Sequence, residues 1–238
     1  MKRRNFLSNV VLGSGSLVLG AACGRKTDPL PAETGSFPSV SESGKTITEP
    51  AKEIPILAET DVLVIGGGPA GTAAAIAASR TGAETYLVER YNHLGGLWTG
   101  GLVLPLLSTH ALDQNQRIRQ VIYGIGGEMS RRLKDLGMAI NEVDPVIDPE
   151  AGKYVLDEMI LEAGVKMLYH TWACNVIMDG NRIAGVFVES KSGRMAILAK
   201  VVVDCTGDGD ISHWAGEHYD EMKYHIGLVH RLGNIDRI

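Results

Sequence analysis

Gly66, Gly68 and Gly71 stand in the spacing G-x-G-x-x-G, within the run Asp-Val-Leu-Val-Ile-Gly-Gly-Gly-Pro-Ala-Gly of residues 61–71. Residues without side chains at these points let the backbone turn tightly off a strand, approach a ligand, and pack a helix closely on the strand. The chemistry open to such a turn is capture of a diphosphate. Pro69 and Ala70 open the helix, whose first N–H groups and positive dipole end face the anion. A carboxylate belongs with it. Glu89 falls eighteen positions beyond Gly71, where it can accept hydrogen bonds from both hydroxyls of an adenosine ribose. The same charge repels a 2′-phosphate, which disfavours NADP. Taken alone, the glycines are also compatible with an ordinary turn between strand and helix.

The elements that must hold these groups can be read from periodicity. Residues 62–65 are a short β-branched apolar run and predict a buried parallel strand. Residues 70–80, nearly all small, predict a helix that Gly82 ends, and residues 84–89 predict a second strand with Glu89 at its tip. Later in the chain come helices over 128–136 and over 154–163, the latter closed by Gly164, and a strand over 165–170. Strands over 175–178 and 182–189 follow, joined by Asp179-Gly180-Asn181 as a hairpin turn. A second hairpin through Ser192-Gly193 returns to a buried strand at 200–203. This order predicts an α/β fold, Rossmann-like and three-layered, with a parallel sheet and a β-meander.

Two more segments bear on the ligand. The first is Glu89-Arg90-Tyr91-Asn92-His93-Leu94-Gly95-Gly96-Leu97-Trp98-Thr99-Gly100-Gly101, in which a glycine pair allows backbone N–H groups to meet an extended ligand. The second is Asp204-Cys205-Thr206-Gly207-Asp208-Gly209-Asp210 at the end of the last strand. With the βαβ unit, these segments resemble the flavoprotein superfamily that includes glutathione-reductase-like and fumarate-reductase-like enzymes. Residues 59–216 are most similar to the FAD-dependent oxidoreductases related to heterodisulfide-reductase-like flavoproteins, with Cys205 where an alanine usually stands. The resemblance implies FAD as cofactor. It places Arg90 beside Glu89, Gly95 and Gly96 against the diphosphate, and Trp98 and Thr99 near the isoalloxazine. It also places the Ala173 backbone at the adenine, and Thr206, Gly207 and Asp208 near the ribityl chain and pyrophosphate. Other readings remain open at this stage: a flexible surface loop for Gly95-Gly96, a core position for Trp98, and a calcium loop at 204–210 that lacks EF-hand spacing. Some members of the wider family carry iron–sulfur clusters, but Cys23, Cys174 and Cys205 are too scattered to build one.

Composition limits the rest. A chain of 238 residues with 45% hydrophobic content can bury one sizeable core, but is short for a nucleotide domain plus a complete substrate domain. A net charge of −5 and only 5% aromatics argue against a nucleic-acid partner. Residues 1–22 read as a secretory signal whose Arg3-Arg4-Asn5-Phe6-Leu7 is similar to the twin-arginine export motif; a general signal with an incidental arginine pair is the alternative. Leu19-Gly20-Ala21-Ala22-Cys23 is similar to a lipoprotein cleavage box, although Gly20 departs from its pattern. Cys23 is therefore either a lipid anchor or a plain thiol after cleavage at Ala22. Residues 23–58 read as a flexible linker able to reach on the order of 30 Å.

The nucleotide domain is expected over 59–216. Residues 217–238, with His213, His218, His225 and His230 nearby and a strand expected over 227–232, read as the start of an incomplete substrate domain. The sequence is thus expected to be the N-terminal part of a longer reading frame, and alone to hold FAD weakly or not at all and to lack full activity. The histidine spacing does not fit a metal site on one helical face. The expected function is an exported FAD-dependent oxidoreductase of the periplasm or cell envelope. It would take a hydride from a small organic substrate and pass electrons to an unidentified acceptor. No acid–base pair declares itself as catalytic. An NAD-dependent dehydrogenase and a non-catalytic, surface-tethered binding lipoprotein are the alternatives.

Overall fold

The computed structural model describes residues 39–40, 44–220, 227–230 and 232, which fall in two compact units divided between Lys52 and Glu53. The signal at 1–22, its arginine pair and Cys23 lie outside the described residues, as does His225. In the first unit β1 (Ser39–Val40) pairs antiparallel with β2 (Ile47–Thr48), Val40 opposite Ile47. The linker expected over 23–58 therefore carries a strand pair in its described part, with Gly44 at φ +68° on the connection. Its end is also earlier than expected, because the next strand begins at Ile56.

The second unit is built around β3 (Ile56–Ile65), longer than the apolar run alone predicts. It passes through α1 (Pro69–Arg80) to β4 (Thr85–Val88), which lies parallel beside it. An excursion follows, comprising the hairpin β5 (His110–Leu112) and β6 (Ile118–Gln120), then α2 (Gly124–Asp135), then the strand pair β7 (Ala139–Ile140) and β8 (Val146–Ile147). Helix α3 (Pro149–Ala163) leads to β9 (Lys166–Leu168), and β10 (Trp172–Asp179), β11 (Arg182–Ser190) and β12 (Gly193–Asp204) form the meander. A short helix, α4 (Asp210–Trp214), closes the described fold. The main sheet runs β10-β11-β12-β3-β4-β9, antiparallel through the meander and parallel from β12 to β9.

Strand β12 is the joint between these two parts. The sequence suggests a hairpin followed by a separate strand at 200–203, but the strand is continuous: residues from Gly193 pair with β11, and residues from Ala196 pair in parallel with β3. One strand can serve both partners because its two edges carry independent sets of backbone donors and acceptors. Alternation on β3 then builds three layers. Val64 faces Ala75, Ile76, Leu133 and Met159 of the helices, whereas Leu63 and Ile65 face Val176, Val186, Val188 and Ile197 of the meander.

The helices show why they form where they do. Asp148 caps α3 by accepting hydrogen bonds from the Glu150 and Ala151 N–H groups at 2.9 and 3.0 Å, Pro149 takes the first turn, and Gly164 ends it at φ +76°. That cap starts α3 five residues before the expected 154. Helix α2 likewise begins at Gly124, not at 128, because packing of Ile125, Met129 and Leu133 on the core outweighs the poor propensity of its glycines. Arg80, Glu128, Arg132 and Glu162 link α1, α2 and α3 in one ion-pair chain. Beyond α4, residues 227–230 and 232 carry no strand, contrary to the expected strand over 227–232, and Leu228 is 88% exposed.

Candidate functional site

A cleft of about 940 Å³ opens where the carboxyl ends of β3, β4 and β12 meet. Strand order reverses direction about β3, the position at which open α/β sheets leave a crevice for a ligand. Backbone bonds tie the three strand ends together: Gly66 donates to the Val88 carbonyl and Cys205 donates to the Ile65 carbonyl, both at 2.8 Å.

The glycine turn off β3 has two kinds of glycine. A Cβ on Gly66 would lie 2.3 Å from the Cys205 oxygen, and one on Gly71 would lie 1.7 Å from the Gly66 oxygen. Both positions are closed to any side chain. Gly68 is different: its φ is −70°, open to any residue, and a Cβ there would meet nothing within 4 Å. The space kept clear at Gly68 lies in the cleft, at the N-cap of α1. Gly68 offers α1 no side-chain cap and Pro69 has no N–H, so the amides of the first turn are those of Ala70 and Gly71. Such a helix end, with a void above it, is suited to an anion.

Glu89 is 6% exposed and both of its carboxylate oxygens hold backbone. Gly67 donates its N–H to one at 2.5 Å and Tyr91 donates to the other at 2.8 Å. The carboxylate thus fixes the glycine turn as well as lining the cleft, and each oxygen retains acceptor capacity for a ribose hydroxyl. Gly95 continues the assembly by donating to the Gly67 carbonyl at 2.9 Å, with φ +96°. Gly96 lies so near the turn that its Cβ would stand 3.0 Å from the Gly68 Cα. Gly96 is therefore a fixed part of the cleft wall with Gly95 directly behind it, and the pair is not a loose surface loop.

The loop after β12 is organised by side chains. Asp204 accepts hydrogen bonds from the Thr206 N–H and hydroxyl at 3.1 and 2.8 Å, and from the Ser212 N–H and hydroxyl at 3.0 and 3.1 Å. Burial opposes ionisation of this carboxyl, but the donors from Ser212 and Thr206 outweigh it and hold the pKa below the usual range. The Thr206 hydroxyl also accepts from the Gly209 and Asp210 N–H groups at 3.0 Å. Gly207, at φ +89°, and Asp208 then stand exposed along the cleft. Burial, and then the Asp204 charge, push the Cys205 thiol up, so it stays protonated at neutral pH. Among the described residues no group of three or more His, Cys, Asp or Glu side chains is placed to hold a metal ion.

The structure thus gathers Gly66, Gly68, Pro69, Ala70, Glu89, Arg90, Gly96, Ala173, Thr206, Gly207 and Asp208 on one cleft, with Gly71 and Gly95 directly behind it. Thr99 is not among its lining residues. It is 1% exposed, and its hydroxyl donates to the Leu94 carbonyl at 2.5 Å, a bond that supports the Gly95 turn. Trp98 packs on the helical core, the alternative kept open for it. Sequence reasoning missed Tyr91, His93, Leu97, Trp172 and Ser212 as lining residues. Tyr91 and Trp172 adjoin residues that were identified, and an exposed aromatic next to a ligand-binding position is the signal that would have found them.

Residues 61–225 match the model of the FAD dependent oxidoreductase family. Among characterised relatives, a thiamine thiazole synthase of Aeropyrum pernix is 30% identical, over 62% of this chain and 54% of that protein. A digeranylgeranylglycerophospholipid reductase of Picrophilus torridus is also 30% identical, over 66% of this chain and 41% of its own length. The chain spans about half the length of these relatives. A solved THI4 structure from Thermovibrio ammonificans matches with a TM-score of 0.46 and 22% identity, over 66% of this chain and 61% of that one. The clear space at Gly68, the free helix end and the buried Glu89 fit an adenine dinucleotide with its diphosphate on the turn. The chain belongs to the FAD-dependent oxidoreductase family, and FAD is the cofactor for which this cleft is built.

Proposed function

We propose that this protein is an exported FAD-dependent oxidoreductase that removes a hydride from a small organic substrate and delivers the electrons to an acceptor other than a nicotinamide. The observation that carries this reading is the open space at Gly68, in a cleft that Glu89 and the Thr206-Gly207-Asp208 loop also line. Ala70 and Gly71 would hold the diphosphate through their N–H groups, Glu89 the adenosine ribose, and the loop after β12 the ribityl side. When bound, the flavin supplies a two-electron redox centre. The residues of this chain would position and orient it, and Cys205, held as a thiol, is not poised as a nucleophile. Gly95-Gly96 and Thr206-Gly207 favour a place within the family near the heterodisulfide-reductase-like flavoproteins.

Export rests on the basic, then apolar, stretch of residues 1–22, with the twin-arginine route favoured by Arg3-Arg4. Cys23 would anchor the protein in the cell envelope, and the acceptor is inferred from that location. The relatives are named for reactions as different as thiazole synthesis and lipid reduction, so likeness selects no substrate. The test is addition of excess FAD to the purified protein, followed by a panel of small organic reductants. The expected result is a flavin spectrum that bleaches with at least one of them and not in protein-free FAD. Binding of NAD with no uptake of FAD would overturn the reading in favour of a nicotinamide dehydrogenase. Mass spectrometry of the mature protein tests the anchor, and an unmodified Cys23 thiol would refute it.

A further inference from the structure

The excursion between β4 and α3 carries a surface that no contact of the cleft uses. Strands β5 and β6 set Leu112 directly opposite Ile118, which puts both side chains on one face of the hairpin. They are 61% and 58% exposed. The Val121 and Ile122 N–H groups both donate to the Thr109 carbonyl, at 2.9 and 3.3 Å, so the pairing runs on past β6. Val121, Ile122 and Tyr123 are exposed there, and Leu107 is exposed on the approach to β5. Six large apolar side chains between residues 107 and 123 thus face solvent, a density that marks a contact surface.

The hairpin that presents them is locked at both ends. At its tip the Asp113 carboxylate accepts from the Asn115 and Arg117 N–H groups at 2.8 and 2.9 Å and from the Arg119 guanidinium at 3.0 Å. At its base the Asp144 carboxylate accepts from the Thr109 N–H and hydroxyl at 2.8 and 2.9 Å. Ser108 and Asp144 stand at φ +61° and +46°, a left-handed conformation that residues with a Cβ seldom adopt and that persists only where the surroundings hold it. A lone two-stranded hairpin is marginal in water, and these side-chain bonds keep this one formed with its apolar residues outward.

Charge selects the partner. Between Glu89 and Glu128 the sequence has one acidic residue, Asp113, in a chain that carries 28. That carboxylate is committed to the hairpin turn, whereas Arg117 is exposed and makes no ion pair among the described residues. A second copy fits poorly, because two β6 strands paired antiparallel about their centre would set Arg119 against Arg119. An anionic bilayer fits better: it accepts apolar side chains at the acyl boundary, a tyrosine at headgroup level and arginines among the phosphates. Among the described residues no helix is long and apolar enough to cross a membrane, so a contact of these residues with a bilayer lies on its surface.

We propose that the β5–β6 hairpin and residues 121–123 are a peripheral docking surface for an anionic lipid bilayer. This rests on the cell-envelope reading given above, which brings a bilayer within reach; one acyl chain holds a protein only marginally, and a second contact makes the attachment stable.

The experiment is hydrogen exchange, read by mass spectrometry, on the 238-residue chain carrying Cys23→Ser. That chain cannot be acylated, so its result is separate from the fate of the lipid anchor. It is mixed with vesicles of phosphatidylcholine alone or of phosphatidylcholine with phosphatidylglycerol. The phosphatidylglycerol vesicles should slow exchange across residues 107–123 and leave the β11–β12 hairpin unchanged. Ile118→Asn, and independently Ile122→Asn, should raise the lipid concentration for half-protection by on the order of tenfold, with melting temperatures near wild type because both side chains are exposed. Arg117→Gln should raise it at low salt and lose its effect at high salt. Equal protection by the two kinds of vesicle, or none at 107–123, overturns the proposal. So does protection that appears without lipid as protein concentration rises and is lost in Ile118→Asn, which would assign the surface to a second copy.

Discussion

The turn after β3 and the loop after β12 lie against each other on the floor of the cleft, yet they are fixed by opposite means. Residues 66–71 hold their shape because side chains are missing. Gly66 and Gly71 leave no room for a Cβ, and the contacts that would clash are backbone to backbone. Residues 204–212 hold theirs because side chains are present. Four hydrogen bonds converge on the Asp204 carboxylate, and the Thr206 hydroxyl accepts two more. A steric device is all-or-none, since a backbone oxygen has nowhere to go. A hydrogen-bonded device is graded, since each lost donor costs its own increment.

The difference predicts a wide gap between single substitutions at the two places. Gly71→Ala puts a methyl group 1.7 Å from the Gly66 oxygen, which only a shift of α1 against β3 relieves. The expected loss is on the order of 3 kcal/mol or more, seen as a large fall in the urea midpoint or as insoluble protein. A midpoint equal to wild type would break the steric half of the comparison. Asp204→Ala should cost less, about 1–3 kcal/mol, because the part-buried donors of Thr206 and the exposed donors of Ser212 lose their acceptor. Asp204→Asn should recover part of this, as its amide oxygen still accepts. If Asp204→Ala is as damaging as Gly71→Ala, the loop is no more forgiving than the turn, and the contrast fails.

The two devices also differ in how plainly the sequence declares them. A device made of absent side chains is visible as glycines, so Gly66, Gly68 and Gly71 can be placed from spacing alone, whereas Gly95 and Gly96 need the resemblance to be told from a surface loop. The strands and helices next to them are legible for the same reason: period-2 and small-residue patterns are local. The Asp204 clamp is not legible, because Ser212 reaches it across eight residues and a strand end, a relation that no spacing rule encodes. Thr99 points toward the ligand in the sequence because it follows the glycine pair, whereas its hydroxyl is engaged by the Leu94 carbonyl within the same turn. Continuity of β12 is hidden because its two halves have different partners and so different burial patterns. Helix α3 starts ahead of its apolar pattern, and Asp148-Pro149, a cap and first-turn pair, is the local signal that marks the true start.

Acid should expose the hydrogen-bonded device and leave the steric one untouched. The Asp204 carboxyl is held below its ordinary range in the folded protein. A depressed folded pKa contributes stability that is complete above the unfolded value, near pH 4, and is lost as pH falls through the folded value. Denaturation midpoints should therefore fall more steeply for wild type than for Asp204→Asn as pH drops below about 4. Glu128 provides the control on the helical face. The Arg80 hydrogen bond holds its carboxyl at about 2, against the opposing effect of burial. Its contribution is present above the ordinary value of 4.5 and declines toward about 2. Glu128→Gln should cost about 1 kcal/mol at neutral pH, given the partial exposure of Arg80, and should leave flavin affinity unchanged. A change in affinity from Glu128→Gln would mean that the helical face and the cleft are not separable.

The smallest effect on stability is expected at Gly68, and it is the most informative about function. Its φ of −70° suits alanine, and a Cβ meets no atom within 4 Å. Gly68→Ala should thus fold with a midpoint within about 0.5 kcal/mol of wild type, since the new methyl group touches no protein atom and alanine lowers the entropy of the unfolded chain. The same methyl group would take up part of the open space at Gly68, at the N-cap of α1, where the diphosphate would approach under the proposed reading. FAD affinity should fall by at least about tenfold, because amide–oxygen distances near 3 Å cannot be kept with a methyl group between them. Gly66 and Gly71 shape the turn for the protein, whereas the structure itself makes no steric demand for glycine at Gly68. Unchanged FAD binding by a stable Gly68→Ala variant would place the diphosphate elsewhere and remove the observation on which the functional reading chiefly rests.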